Sequence, residues 1–153
     1  MTDLPGMYLL GLSFFDCAEI CEREAEETKN ITRSVELQTP FIVNCAFACE
    51  IFLKFLLSFY KIDFKREHDL KKLFDLLPKD VQNKVNERQR EKFGTLQTWY
   101  GGDILQTISN AFIEWRYKYE KRQLHNETSF LFSFTSILKQ LCEEKLGWKG
   151  YNI

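Results

Sequence analysis

The stretch from Pro40 to Tyr60, PFIVNCAFACEIFLKFLLSFY, is apolar on every side of a helical wheel except at Asn44, Glu50 and Lys54. A helix that is hydrophobic all round is buried, either in the middle of a bundle or in a membrane. At about 20 residues, roughly 30 Å, it is long enough for either setting. The polar residues discriminate. Glu50 and Lys54 lie one turn apart near the middle, where each charge costs about 2.5–3.5 kcal/mol in a bilayer. In a bundle the same two residues pair at i,i+4 with the Glu first, the better orientation. The stretch is read as a central bundle helix, with no membrane partner expected.

The rest of the chain fits that reading. Its 153 residues suit one domain, 1–153, and with 44% hydrophobic and 28% charged residues it is globular rather than disordered. Fourteen Phe imply a thick aromatic core, and seven Gly with three Pro leave few breaks, which favours long helices. The net charge of −1 advertises no nucleic-acid or membrane partner globally. Locally the charge is uneven: residues 1–30 carry seven acidic side chains against Arg23 and Lys29, and residues 61–92 carry ten basic against seven acidic. These are solvated helix faces or, alternatively, an acidic and a basic face for a partner or a second copy. Thr2 and Asp3 precede the short apolar run Met7–Phe15 where a secretory leader carries positive charge, and five Cys is an odd number. A cytoplasmic location with free thiols is expected.

Helical periodicity predicts an all-α antiparallel bundle of about five to six helices. The first runs from Leu4 to about Asn30. Asn30–Gln38 reads as a connector, and Thr39-Pro40 as the cap and first position of the second helix, ending near Lys61-Ile62-Asp63. His68 or Asp69 caps a compact third helix with the stripe Leu70, Leu73, Phe74, Leu77, closed by Pro78. Lys79–Phe93 is weakly amphipathic and peripheral, touching the core through Val81, Val85 and Phe93. Asp103 caps a helix to about Arg122 that carries Ile104, Ile108, Ala111, Phe112, Trp115 and Tyr119 on one side. Asn126–Ser129 breaks the pattern before a last helix with Leu131, Phe134, Leu138 and Leu141 inward and Gly147 at its end.

Few chemical constellations are present. Cys17/Cys21 and Cys45/Cys49 are i,i+4 pairs on neighbouring helices, so four sulfurs converging on zinc or a cross-link is one reading. Their Ala, Ile and Phe neighbours favour the other, thiols packed as small hydrophobes, and no metal or cofactor is expected. His68 and His125 lack the Glu three residues upstream that a di-iron bundle uses, and no phosphate-loop or hydrolase motif occurs. What remains is a structural polar seam of Asn44, Glu50 and Lys54, together with His68, Asp69, Arg116, Tyr117, Tyr119 and Glu120. Arg116 suits a carboxylate or phosphate. His68, at a helix start, suits a phosphate or acid/base work. The ordinary alternatives are a cap for His68, a helix pair for Glu50–Lys54, and an internal ion pair for Arg116.

The order and spacing of Glu50-Ile51-Phe52-Leu53-Lys54, His68-Asp69-Leu70 with Lys72-Leu73, and Ala111-Phe112 through Arg116-Tyr117-Lys118-Tyr119-Glu120 resemble the HEPN superfamily of small helical domains. The resemblance covers about residues 40–122. It implies a helical bundle, often a homodimer, that binds a nucleotide, RNA or a protein partner such as an antitoxin. The implied setting is a toxin–antitoxin or antiviral system, and the ligand-binding residues would be Lys54, His68, Arg116, Tyr117 and Tyr119. Nuclease members join an Arg and a His, with four to six residues between them, in a composite site between subunits. Here eight residues separate Arg116 from His125 and two separate Arg122 from it, so the spacing is not met. The expectation is a non-catalytic binding module. The alternative is a metal-independent RNase whose catalytic candidates are Arg116, His68 and His125.

Overall fold

The computed structural model describes residues 2–93, 109 and 125–147. Five helices fall within them: α1 (Leu4–Glu27), α2 (Ile31–Phe59), α3 (Leu70–Leu76), α4 (Lys79–Phe93) and α5 (His125–Leu146). No strand occurs among the described residues, and the fold is all-α. The expected helix from Asp103 to Arg122 lies outside them, apart from the helical Ser109.

α1 and α2 form a long antiparallel hairpin. Asp3 caps α1 by accepting from the Gly6 amide at 2.9 Å, and Pro5 sits in the first turn, where its missing N–H costs nothing. The register is fixed by aromatic contacts: Tyr8 with Phe52 at 5.9 Å between centroids and Phe14 stacked on Phe47 at 5.3 Å. An Arg33–Glu24 ion pair at 3.9 Å lies at the turn end. α5 runs parallel to α2, since Phe132 meets Phe41, Thr135 meets Cys45 and Cys142 meets the Phe52 carbonyl. It is antiparallel to α1, where Phe132 stacks on Phe15 and Glu143 accepts from the Tyr8 hydroxyl. α4 crosses α5 through Lys84 and Arg88 on Glu144, and through Ser133 donating to the buried Gln89. Val81 and Val85 are buried, as expected.

Two boundaries differ from the sequence reading. α2 begins at Ile31, nine residues before Pro40, so the expected connector is helical from Ile31 to Gln38 and Pro40 is internal. The Asn30 side chain accepts from the Arg33 amide at 3.2 Å and wins the cap position over Thr39. The pyrrolidine removes one ladder bond, a loss of about 3 kcal/mol at a helix interior. Continued packing of Leu37, Phe41 and Ile42 on the core opposes that loss. Likewise Asn126–Ser129 is no break: these residues form the opening of α5, which starts at His125.

The core runs along α2 from Phe41 to Leu57. Phe52, Leu53, Phe55, Leu56 and Leu57 are fully buried, against Phe134, Leu138 and Leu141 of α5 and Leu70 and Leu73 of α3. By length and composition alone both α1 and α2 could cross a bilayer. The protein itself buries 67% of α2's apolar window but only 22% of α1's. Four thiols belong to this core: Cys45, Cys49 and Cys142 are fully buried and Cys21 is buried at its edge, while Cys17 is exposed. No group of metal-ligating side chains occurs among the described residues. Burial pushes the Cys45 thiol up to about 12, and raises Cys49 and Cys142 as well.

Gly11 lets α1 approach. A Cβ there would stand 2.5 Å from Cε1 of Phe52, a ring with no free side to move into. Gly11→Ala is therefore expected to destabilise the protein by roughly 1–3 kcal/mol in urea unfolding, although Ala is the better helix former by about 1 kcal/mol. The thiols carry a second expectation. A thiol whose folded pKa lies above its unfolded value is stabilising below that value, and the contribution is lost as pH rises. Unfolding free energy should be level up to about pH 9 and fall toward pH 12, by up to about 1.4 kcal/mol per unit for each buried thiol. Cys45→Ala should make that alkaline limb measurably shallower, and a thiol reagent should label Cys17 far faster than Cys45, Cys49 or Cys142.

Candidate functional site

The polar residues of α2 emerge where the helix turns away from its core contacts. Glu50 and Lys54 form the expected i,i+4 pair at 2.7 Å, with side chains only 12% and 16% exposed. His68 joins them. Its Nδ1 lies 2.8 Å from Glu50 Oε1 and 3.4 Å from Lys54 Nζ. A carboxylate oxygen at 2.8 Å requires a proton on Nδ1, so Nδ1–H donates to Glu50 and the lysine is a neighbour, not a donor, to that ring atom. Nε2 has no partner among the described residues, and the side chain is 71% exposed. Beneath the pair, the Lys54 ammonium stands 5.6 Å from the Phe64 ring centroid, a cation–π contact.

The connector from α2 to α3 is built to hold that imidazole. At the end of α2 the Ile62 amide donates back to Leu57 O and the Lys61 amide to Ser58 O, the paired bonds of a Schellman cap. Lys61 takes the left-handed position normally given to glycine, with φ 57°. The Asp63 carboxylate accepts from the Lys65 amide at 2.8 Å, and a turn closes from the Glu67 amide to Phe64 O. Glu67 then accepts from the amides of both His68 and Asp69 at 2.9 Å. Those two donors, Asp69 first, hold its carboxyl below the usual carboxylate range. Asp69 caps α3 by accepting from the Lys72 amide at 3.0 Å. The Leu70 amide donates to Ser109 Oγ at 2.8 Å. Backbone and ring are thus fixed separately, the one by Glu67 and Asp69, the other by Glu50.

Of the residues expected at the site, the structure brings together Glu50, Lys54 and His68. Asn44 is not with them: its amide donates to Pro40 O at 2.7 Å, back along its own helix. Six residues from Glu50, it lies about 240° round the wheel, on another face. Arg116, Tyr117, Tyr119 and Glu120 lie outside the described residues, as does the side chain of His125, which opens α5. Ser109, buried against the first amide of α3, was not singled out from the sequence; a lone hydroxyl beside Ile108 in an apolar stripe is its only signal. A second polar cluster has no local signal in the sequence. The Tyr8 hydroxyl donates to Glu143 Oε1 at 2.5 Å and Lys139 donates to the same oxygen at 2.8 Å. Burial and the adjoining carboxylate both push the Tyr8 phenol upward, burial more, so it stays a neutral donor.

No protein-family model matches the chain, and neither a curated protein nor a solved structure matches it. The exposed Nε2 presents a single hydrogen-bonding atom that either accepts or donates according to its proton. The connector that leads to it carries the exposed cations Lys61, Lys65 and Arg66. Such an edge suits an anion with several oxygens.

The pairing and the imidazole separate in energy. Glu50→Ala leaves Lys54 nearly buried without its counter-charge and should lower stability by roughly 1–3 kcal/mol, with a double-mutant cycle against Lys54→Ala recovering much of that as coupling. His68→Ala removes an exposed ring and should change stability by no more than about 0.5 kcal/mol. A larger loss would mean that His68 serves the fold.

Proposed function

We propose that this chain is an HEPN-like helical module, a cytoplasmic homodimer that binds a phosphate-bearing ligand, a nucleotide or an RNA strand, without cleaving it. The observation that carries the reading is the exposed His68 imidazole, fixed through Nδ1 on Glu50 and, among the described residues, unpartnered at Nε2. Lys54 acts from behind. Its charge is engaged by Glu50, so it sets the carboxylate and raises the local potential instead of reaching the ligand. The exposed Lys61, Lys65 and Arg66 supply the long-range attraction. Arg116, Tyr117 and Tyr119 enter by family resemblance, as a phosphate fork and stacking surfaces. The same resemblance supports a toxin–antitoxin or antiviral setting, in which an antitoxin-like protein is a partner.

The alternative is a metal-independent RNase, and one observation favours it. A carboxylate on Nδ1 is the arrangement that orients an imidazole for general-base work through Nε2. Against it, the Arg-to-His spacing of the nuclease members is missing from the sequence.

Fluorescence anisotropy with a labelled single-stranded RNA, competed by ATP, tests both readings when run beside a cleavage assay in chelator. Expected are saturable, salt-sensitive binding, an RNA that stays intact, and a loss of about tenfold in affinity for His68→Ala with unchanged melting temperature. Cleavage in chelator that disappears in His68→Ala would establish the RNase. Absence of binding, or equal binding by His68→Ala, would overturn the ligand site.

A further inference from the structure

α1 has a second face. Gly11, Phe15 and Ala18 turn inward and are buried, while Leu9, Leu10 and Ile20 remain 55%, 53% and 56% exposed. Leu10, Ser13, Cys17 and Ile20 follow one another at steps of three, four and three residues, all exposed, so they form one straight seam. Covering it strands no polar group. The Ser13 hydroxyl already donates to Leu10 O at 2.7 Å, and a thiol packs as a small hydrophobe.

The geometry points to a second copy of this chain on that seam, with the two α1 helices antiparallel about a two-fold axis level with Phe15. The seam reads large, small, small, large, and the sequence of steps is the same in both directions. In an antiparallel pair Leu10 therefore meets Ile20 of the second copy, and Ser13 meets Cys17. That self-complementarity is what a two-fold interface requires. Charge selects the direction. A parallel pair would set Asp16, Glu24 and Glu27 each level with its own copy. The antiparallel pair moves Glu24 to the level of Gly6, at the positive end of the second helix. Two opposing contacts remain, Asp16 beside its copy near the axis and Glu27 level with Asp3; all are exposed and screened by salt. A membrane surface is the poorer occupant. Interfacial helices carry Lys and Arg on the polar face, whereas α1 has six carboxylates against Arg23.

The seam is about three turns, roughly 16 Å, long. That places the interface at or below the low end of specific interfaces, about 1,200 Å² in total, and the association in the micromolar range or weaker. This deepens the homodimer proposed above by naming its face, and it rests on none of the ligand chemistry at His68.

Sedimentation of the full chain from a few to several hundred micromolar tests it by charge exchange. Leu10→Lys and Ile20→Glu, each at an exposed site, should weaken dimerisation about tenfold or more while leaving the melting temperature unchanged. The doubly substituted chain should recover it, because the antiparallel pair sets each introduced ammonium opposite an introduced carboxylate. A monomer at every concentration overturns the proposal, and so does a dimer indifferent to Leu10→Lys. Failure of the double variant to recover overturns the antiparallel register. A monomer that instead binds vesicles of phosphatidylcholine and phosphatidylserine, and loses that binding in Leu10→Lys, assigns the seam to lipid and overturns the proposal too. RNA binding by Leu10→Lys, measured beside these, reports on the ligand reading alone.

Discussion

Phe52 stands where three helices meet. Gly11 of α1 yields the space for its ring, Tyr8 and Phe15 flank it, and the Cys142 thiol of α5 reaches its carbonyl at 3.6 Å. The direction of this one ring sets the direction of α2. Residues two before and two after it on a helix point about 200° away. Glu50 and Lys54 hold those two positions. Burying Phe52 at the three-helix junction therefore delivers the ion pair to the opposite side of α2, where α3 and the connector pass. The site's location follows from core packing.

The imidazole's position follows from turn chemistry. Lys61 and Lys65 both adopt the left-handed region, at φ 57° and 49°, although neither is glycine. Each such residue costs about 1–2 kcal/mol, and the bonds around them offset it: two amides returned to α2 at Lys61, and the Asp63 carboxylate at Lys65. Ile62 and Phe64, packed on the core, anchor the loop between. With Glu67 holding two amides and Ser109 taking a third, seven of the ten amides from Lys61 to Leu70 are bonded within the protein. The loop presents His68 on a rigid base, which suits recognition by one fixed atom more than an adaptable surface.

How much of this was legible in the sequence depended on the range of the interaction. Local periodicity gave α1, the core of α2, the stripe Leu70, Leu73, Phe74, Leu77 and the left-handed Gly147 at the end of α5. The Glu50–Lys54 pair was legible because both partners lie on one helix, and His68 because charged residues on a core helix need company. Pro40 misled because Thr-Pro is a good local start, while the competing cap at Asn30 gains from long-range contacts that a local signal does not register. Asn44 misled for a related reason: an amide inside a helix is as well satisfied by the carbonyl four residues back as by a distant partner. Gly11 against Phe52 and Tyr8 against Glu143 join residues far apart in the chain, and nothing in the neighbourhood of either announces its partner.

The layering of the molecule bears on the choice between binding and cleavage. The outer seam of α1 faces away from Phe15 and Gly11, α2 lies behind them, and Glu50, Lys54 and His68 lie beyond α2. Packed helices stand about 8–10 Å apart axis to axis. In a dimer joined through α1, each His68 would sit more than two helix layers from the two-fold axis, and the two imidazoles would be roughly 40 Å apart. No composite centre between subunits can form across that distance. Such a dimer presents two separate edges facing outward, each with its own imidazole and its own connector carrying Lys61, Lys65 and Arg66. Two weak sites displayed on one particle gain from simultaneous engagement of a long ligand. That arrangement favours a strand or a multiply phosphorylated partner over a single mononucleotide. If instead the two copies met at the His68 edge, the imidazoles would be brought together and the seam on α1 left open. The face that dimerises therefore decides between a bivalent binder and a composite nuclease.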